Sequence, residues 1–198
     1  MAHIDYFVNP ISTFAYLAGN RFEDVAARHG ATIRYKPFDL VSNFSRTGGL
    51  PLGQRHTARI EYRAQELRRI SQRYGLPMNF KPSYFPTNAA PASYAIIAAQ
   101  SAGGGDLAGL VQAFLSACFA EEKDVADDGV IRDCLAKNGF DAGLADKGML
   151  ESAEVYARNT EEAVTRGVFG APFYIVGEEK FWGQDRLDYL DAYLAEIG

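Results

Sequence analysis

Strand-like sequence occurs only near the two ends of this chain, and this distribution limits the folds that it can adopt. Near the amino terminus, the β-branched and aromatic run Ile4–Val8 predicts a strand. Apolar residues then recur with helical periodicity until about His29, and Gly30 is a typical residue to end a helix. ATIRYKPFDL, residues 31–40, is predicted as a second strand. Because the joints are tight, the order strand, helix, strand indicates a right-handed unit with two parallel strands.

The carboxyl-terminal end carries the second β pattern. Phe173–Val176 predicts a strand, Gly177 and Glu178 a turn, and Lys180–Trp182 the returning strand. A last helix is predicted over Arg186–Ile197. A hairpin followed by a helix complements the strand–helix–strand unit at the other end.

Between these ends, residues 57–166 are predicted to be almost wholly helical, whereas residues 41–55 are predicted as a loop. A charged amphipathic helix is expected from Thr57 to Tyr74, closed by Gly75. The further predicted helices are Ala92–Ser101, Leu107–Ala120, Val130–Lys137 and Asp146–Arg166, the last with Met149 as an alternative start. We therefore expect an α/β chain in which residues 1–56 and 167–198 form one domain, with residues 57–166 inserted as a helical domain.

Charge and composition exclude several classes of function. The chain has 198 residues and a formal net charge of −5, which argues against general binding to nucleic acid. It has no apolar run long enough to span a membrane and does not start like a secretory signal, so we expect a cytoplasmic protein without membrane partners. The three histidines and the two cysteines, Cys118 and Cys134, lack the spacings of metal sites, so no metal is expected. We interpret both cysteines as buried thiols.

Ser12 stands where the first strand passes into the first helix, a position at which many redox proteins place a reactive cysteine. Ser12 and Thr13 are both good N-cap residues, and taken alone Ser12 is an ordinary helix cap. The unpaired N–H groups of a helix start also stabilise a thiolate. Since no cysteine is present here, a thiol that uses this position must come from another molecule.

Three motifs give the chain a resemblance to a known family. STFAYLA (residues 12–18), TGGLPLGQR (47–55) and GVFGAPFYIVGEEKFWGQDRL (167–187) follow one another in the family's order. They resemble motifs of the 2-hydroxychromene-2-carboxylate isomerases and the kappa-class glutathione transferases. The likeness covers essentially the whole chain and implies a DsbA-like thioredoxin fold with an inserted all-helical domain. The family usually has a proline where this chain has Thr13.

The resemblance implies glutathione as cofactor and assigns residues to it. Ser12 would donate its hydroxyl hydrogen to the glutathione sulfur, with Thr13 as a cap or a second donor, or with these two roles exchanged. Pro172 would be a cis-proline, and the backbone of Ala171 would bind the cysteinyl part of glutathione. Gly183, Gln184 and Asp185 would lie at the γ-glutamyl end, although Asp185 is equally well interpreted as a plain cap of the last helix.

The resemblance also implies a substrate site for a small aromatic molecule. Gln54 and Arg55 are similar to a substrate-binding pair, and Arg55 is expected to hold a carboxylate. Tyr84 is similar to a tyrosine that contacts substrate. Arg59 and Arg63 follow Arg55 at four-residue steps, and we interpret them as part of a solvated, salt-bridged helix face.

The function that the resemblance implies is a glutathione-dependent cis–trans isomerisation of 2-hydroxychromene-2-carboxylate or a similar intermediate of aromatic degradation. Relatives are commonly homodimers, so a homodimer is expected. Two alternatives remain open: a kappa-like glutathione transferase or peroxidase, and a non-catalytic glutathione-binding module with the same fold.

Overall fold

The computed structural model describes all 198 residues, and its centre is a four-stranded sheet. The strands are β1 (His3–Val8), β2 (Thr32–Pro37), β3 (Phe173–Val176) and β4 (Glu179–Trp182), in the spatial order β2-β1-β3-β4. β1 is parallel to β2 and antiparallel to β3, and β3 is antiparallel to β4. The predicted α/β thioredoxin-like fold is confirmed, with all four strands within one residue of their predicted starts.

Nine helices surround the sheet, and five of them lie between β2 and β3 beyond residue 56. The nine are α1 (Thr13–Ala18), α2 (Arg21–Arg28), α3 (Leu40–Thr47), α4 (Thr57–Tyr74), α5 (Ala90–Ala102), α6 (Leu107–Phe119), α7 (Asp128–Lys137), α8 (Met149–Thr165) and α9 (Leu187–Ile197). α4 has its predicted bounds, and α8 begins at the alternative start. No helix combines the length and the apolar character that crossing a bilayer requires.

The single helix predicted between β1 and β2 is in fact two helices. Gly19 adopts φ +57° and ψ −145°, a conformation outside the helical region that glycine reaches without steric cost. Its N–H closes α1 by donating to the carbonyl of Tyr16 at 3.0 Å. The apolar periodicity continues across this break, and the sequence pattern therefore did not reveal it. As a consequence α1 has only six residues, and its dipole is weaker than that of the predicted long helix.

The prediction of a loop over residues 41–55 is wrong for its first half, which forms α3. The carboxylate of Asp39 caps α3 by accepting from the N–H groups of Val41 and Ser42 at 3.1 and 3.0 Å. Gly48 ends the helix in the left-handed conformation, at φ +79°. Both signals are present in the sequence. They were overlooked because the segment has few apolar residues and therefore only a weak helical periodicity.

The two faces of the sheet carry separate apolar clusters. Alternate residues of β1 point to opposite faces, so Tyr6 joins a cluster of 33 buried residues and Phe7 joins a second cluster of seven. The larger cluster contains side chains of the sheet, such as Tyr174, together with side chains of the helical segment, such as Phe114. The segment 57–166 therefore packs directly on the sheet. The expected division into two domains stays a prediction about chain organisation.

Candidate functional site

A large cavity lies between the ends of the strands and the helical segment. Its volume is about 1450 Å³, which exceeds the roughly 300–1,000 Å³ of a typical pocket for one small ligand. Its aromatic wall is contributed by helices, connecting loops and the sheet edge, namely by Phe14, Phe44, Tyr62, Phe85, Tyr94, Tyr156, Phe169 and Trp182. Such a cavity has room for two molecules side by side, one of them aromatic.

Ser12 and Thr13 lie on the wall of this cavity at the start of α1, and both are buried. Ser12 caps the helix, because its Oγ accepts from the N–H of Ala15 at 3.3 Å. The same hydroxyl donates to the carbonyl of Ala171 at 2.9 Å. The Oγ1 of Thr13 accepts a hydrogen bond from Nη2 of Arg63 at 2.6 Å. The two neighbouring hydroxyls therefore have different partners.

Ala171 lines the cavity beside Ser12, whereas the buried Pro172 lies behind the wall, and the peptide bond between Ala171 and Pro172 is cis. The carbonyl of Pro172 accepts from the N–H of Gly183 at 3.0 Å, which joins the two sheet-end segments. The N–H of Ala171 donates to no acceptor within the chain, so it is free for a ligand. A side chain at Gly170 would place its Cβ 2.4 Å from the indole nitrogen of Trp182, and glycine is needed for this close approach.

Gln184 and Asp185 also line the cavity, together with Gly183. Gln184 is buried, and its Oε1 accepts from Nη2 of Arg21 at 2.7 Å. Asp185 is exposed, and its carboxylate accepts from Arg186 at 2.7 Å. The interpretation of Asp185 as a cap is wrong, because α9 begins at Leu187 without a side-chain cap.

Three arginines face the cavity from α4 and the residues before it. Arg55, Arg59 and Arg63 all line it, and none of them has a carboxylate within ion-pair distance. Arg55 donates from Nε to the carbonyl of Leu50 at 2.8 Å, and its guanidinium lies 5.7 Å from the ring centre of Phe44. A row of unpaired cations in a protein of net charge −5 is an arrangement suited to anionic ligands.

Arg63 corrects the interpretation of this helix face as solvated and salt-bridged. The nearby carboxylate of Glu66 pairs with Arg69 at 2.7 Å and not with Arg63. Burial, together with the positive charge of Arg55, lowers the pKa of the half-buried Arg63. Sequence periodicity groups residues on one side of a helix, but it does not say whether that side meets solvent or a cavity.

The structure does not bring every predicted site residue to the cavity. Gln54 is exposed in a 3-10 turn outside the cavity wall. Tyr84 is half exposed and also lies outside the wall, where Phe85 and Pro86 take part in its place. Substrate contact by Gln54 and Tyr84 stays a prediction that the cavity does not support.

Neither cysteine belongs to the cavity. Cys118 and Cys134 are buried in α6 and α7. Burial raises the pKa of Cys118 to about 12 and that of Cys134 to about 11, with nearby carboxylates adding to the effect. The chain therefore has no thiol of its own beside the buried hydroxyls.

Comparison with known proteins identifies relatives over the full length of the chain. The family model of the DSBA-like thioredoxin domain matches residues 3–195. A 2-hydroxychromene-2-carboxylate isomerase of Sphingobium xenophagum is 32% identical, with 98% of each chain covered. A protein of the same name from Pseudomonas putida is 29% identical over 98% of this chain and 95% of its own. A solved 2-hydroxychromene-2-carboxylate isomerase superposes with a TM-score of 0.79 at 26% identity, over 98% of this chain and 95% of that one.

Proposed function

Since this chain belongs to the DsbA-like thioredoxin domain family, we propose that it is a glutathione-dependent cis–trans isomerase of 2-hydroxychromene-2-carboxylate or a similar aromatic carboxylate. The named relatives support isomerase activity, because they match over nearly the full length of both chains. Glutathione as cofactor and the aromatic substrate are parts of the proposal. The residues of the cavity support both.

The cavity wall fits glutathione in three respects. The buried hydroxyls of Ser12 and Thr13 lie next to each other on the wall. A hydroxyl that donates to the glutathione sulfur stabilises its thiolate form. The free N–H of Ala171 suits a peptide backbone that runs along the wall, as in pairing by an added strand. The polar side chains of Gln184 and Asp185 offer an amide and a carboxylate to an amino acid end carrying both charges.

The unpaired arginines fit the second molecule. A chromene carboxylate is a flat aromatic anion, and the wall combines aromatic rings with guanidinium groups. Arg55 lies beside Phe44, which allows it to hold a carboxylate while the ring covers the aromatic part. The remaining cations, Arg59 and Arg63, offset the additional negative charge that glutathione brings into the same space.

The chemistry divides between the cofactor and the protein. Bound glutathione supplies a thiolate that adds reversibly to the conjugated double bond, which is then single and free to rotate before the sulfur leaves again. A hydroxyl at the start of α1 stabilises the ionised form of the sulfur. Arg55 holds the substrate carboxylate and thereby aligns the reacting carbon with the sulfur. The aromatic wall excludes water from the reacting atoms.

The observation that carries the proposal is the meeting of two buried hydroxyls and three unpaired arginines in one cavity that contains no cysteine. A redox protein of this fold needs a thiol at the start of α1. This chain has Ser12 there, and its two cysteines are buried elsewhere. The site is therefore suited to activating a thiol that arrives with a ligand.

The test is to follow the ultraviolet spectrum of 2-hydroxychromene-2-carboxylate with purified protein, with and without glutathione, while total free thiol is measured. We expect conversion to the trans product, dependence on glutathione and no loss of thiol. The variant Arg55→Met should be slower, and Arg69→Met is the matched control, since Arg69 lies on the outer side of α4 and pairs with Glu66. An equal rate without glutathione would contradict the cofactor. Loss of thiol with an aryl halide, and no isomerisation, would instead identify a transferase.

A further inference from the structure

The hydroxyl of Ser12 is fully engaged within the protein. Its hydrogen is donated to the carbonyl of Ala171 at 2.9 Å, and its oxygen accepts from the N–H of Ala15 at 3.3 Å. Both bonds are buried. If Ser12 turned its hydrogen to a ligand, it would give up its internal hydrogen bond to Ala171. Ser12 is thus a structural link between α1 and the Ala171 segment.

The hydroxyl of Thr13 is in the opposite situation. Thr13 is 5% exposed, and its Oγ1 accepts from Arg63 at 2.6 Å. Its own hydrogen has no acceptor in the protein, although the residue lines the cavity. This hydrogen is therefore available to an acceptor on a ligand in the cavity.

Arg63 is held in a position to strengthen that donor. Its guanidinium lies 5.8 Å from the ring centre of Phe14, and it has no carboxylate partner. A guanidinium stays protonated in proteins, so Arg63 brings a full positive charge to Thr13. An oxygen that accepts from a cation becomes a better donor through its own hydrogen, since hydrogen bonds in a chain polarise one another. The same charge also favours an anion on the far side of the hydroxyl.

We propose that Thr13 is the catalytic residue that donates to the ionised sulfur of glutathione, and that Arg63 is a positioning residue that polarises the Thr13 hydroxyl. The thiol proton leaves to solvent, and the sulfur anion accepts the free hydrogen of Thr13. Ser12 keeps its bond to Ala171 throughout. This inference rests on the proposed function, because it names the residue that activates the same cofactor.

The experiment measures the pKa of the bound glutathione thiol from its ultraviolet thiolate absorbance as a function of pH. Thr13→Val keeps the shape and removes the hydroxyl, and we expect it to raise the thiol pKa by about one unit. Arg63→Met should raise the thiol pKa in the same direction, whereas Arg69→Met, on the same helix, should leave it unchanged. Thr13→Ser restores the hydroxyl and should restore the pKa. Affinity for S-methylglutathione, which has no thiol to ionise, should change less than about threefold in each variant.

The possible results separate this inference from the proposed function. If Ser12→Ala raises the thiol pKa while Thr13→Val does not, Ser12 is the donor and the inference is wrong. A loss of S-methylglutathione affinity equal to the loss for glutathione would mean that Thr13 acts through shape alone, which also overturns the inference. If the unmodified protein binds neither compound, the proposed function itself fails. Arg63→Met changes a half-buried side chain outside the apolar core, so it tests the polarisation even if Thr13→Val does not fold.

Discussion

Replacing Glu23 by glutamine should make the protein more stable above neutral pH. Glu23 lies on α2, where one of its oxygens accepts from the hydroxyl of Tyr35 at 3.0 Å and the other is buried without a partner. Burial raises the pKa of Glu23 from the ordinary value of 4.5 to about 7, and the negative charges of Asp24 and Asp106 act in the same direction. The hydrogen bond from Tyr35 opposes the rise but does not cancel it.

The sign of the effect follows from proton linkage. Between pH 4.5 and about 7 the folded protein holds the Glu23 proton, whereas the unfolded chain has lost it. The stabilising contribution of Glu23 is therefore complete below the unfolded pKa and is lost as the pH rises through the folded pKa. Each unit of pKa difference corresponds to about 1.4 kcal/mol. Because the side chain keeps partial contact with solvent, the effect is smaller than the full product of this value and the pKa difference. We expect the free energy of unfolding to fall by about 2 kcal/mol.

The assay is reversible urea unfolding of the protein and of Glu23→Gln, followed by circular dichroism from about pH 5 to pH 8. Glutamine stays neutral, and its oxygen can still accept from Tyr35. The variant should exceed the original protein by about 2 kcal/mol at about pH 8, or about 4–8 °C in Tm, with the difference shrinking toward pH 5. The control is Glu178→Gln, which changes an exposed carboxylate in the β3–β4 turn. Parallel curves for Glu23→Gln and the original protein would refute the reasoning.

Three further predictions concern the cavity and the thiols. Arg55→Met should raise KM for a chromene carboxylate about tenfold, because it removes one charge-assisted hydrogen bond of about 1.4 kcal/mol. Steady-state kinetics measures KM, and an unchanged KM would contradict this role of Arg55. Asp185→Ala should weaken glutathione binding about tenfold while the pKa of the bound thiol barely moves. Calorimetry and ultraviolet titration measure the two quantities, and a large pKa change would assign Asp185 a different role. Cys118 and Cys134, whose pKa values are raised to about 12 and 11, should not react with an aromatic disulfide reagent in the folded protein, and both should react after unfolding. Rapid reaction of the folded protein would show that the thiols are accessible.

The order of the secondary structure elements and the family could be predicted from local pattern. Strand runs at both ends, a helical stretch between them and the motif around Pro172 are features of neighbouring residues. The local patterns led to a thioredoxin-like sheet, and the family resemblance implied the cis bond after Ala171; the structure has both. Local signals also failed where two patterns competed. The apolar periodicity continued across Gly19, and the caps of α3 at Asp39 and Gly48 were overlooked within a polar segment.

The sequence by itself determined that Ser12 stands at a strand–helix joint without a cysteine, because chain position and residue type are enough to establish that. Tertiary structure alone decided which of the two hydroxyls, Ser12 or Thr13, keeps a hydrogen that it can donate to a ligand. Ser12 is bound to Ala171, 159 residues away, and Thr13 to Arg63, 50 residues away. Helical periodicity placed Arg63 on the same side of α4 as Arg59, but only the packing of α4 over the cavity turned that side toward Thr13. The physical reason is that a hydrogen bond depends on distances between atoms, and the fold sets these distances for residues that are far apart in the chain.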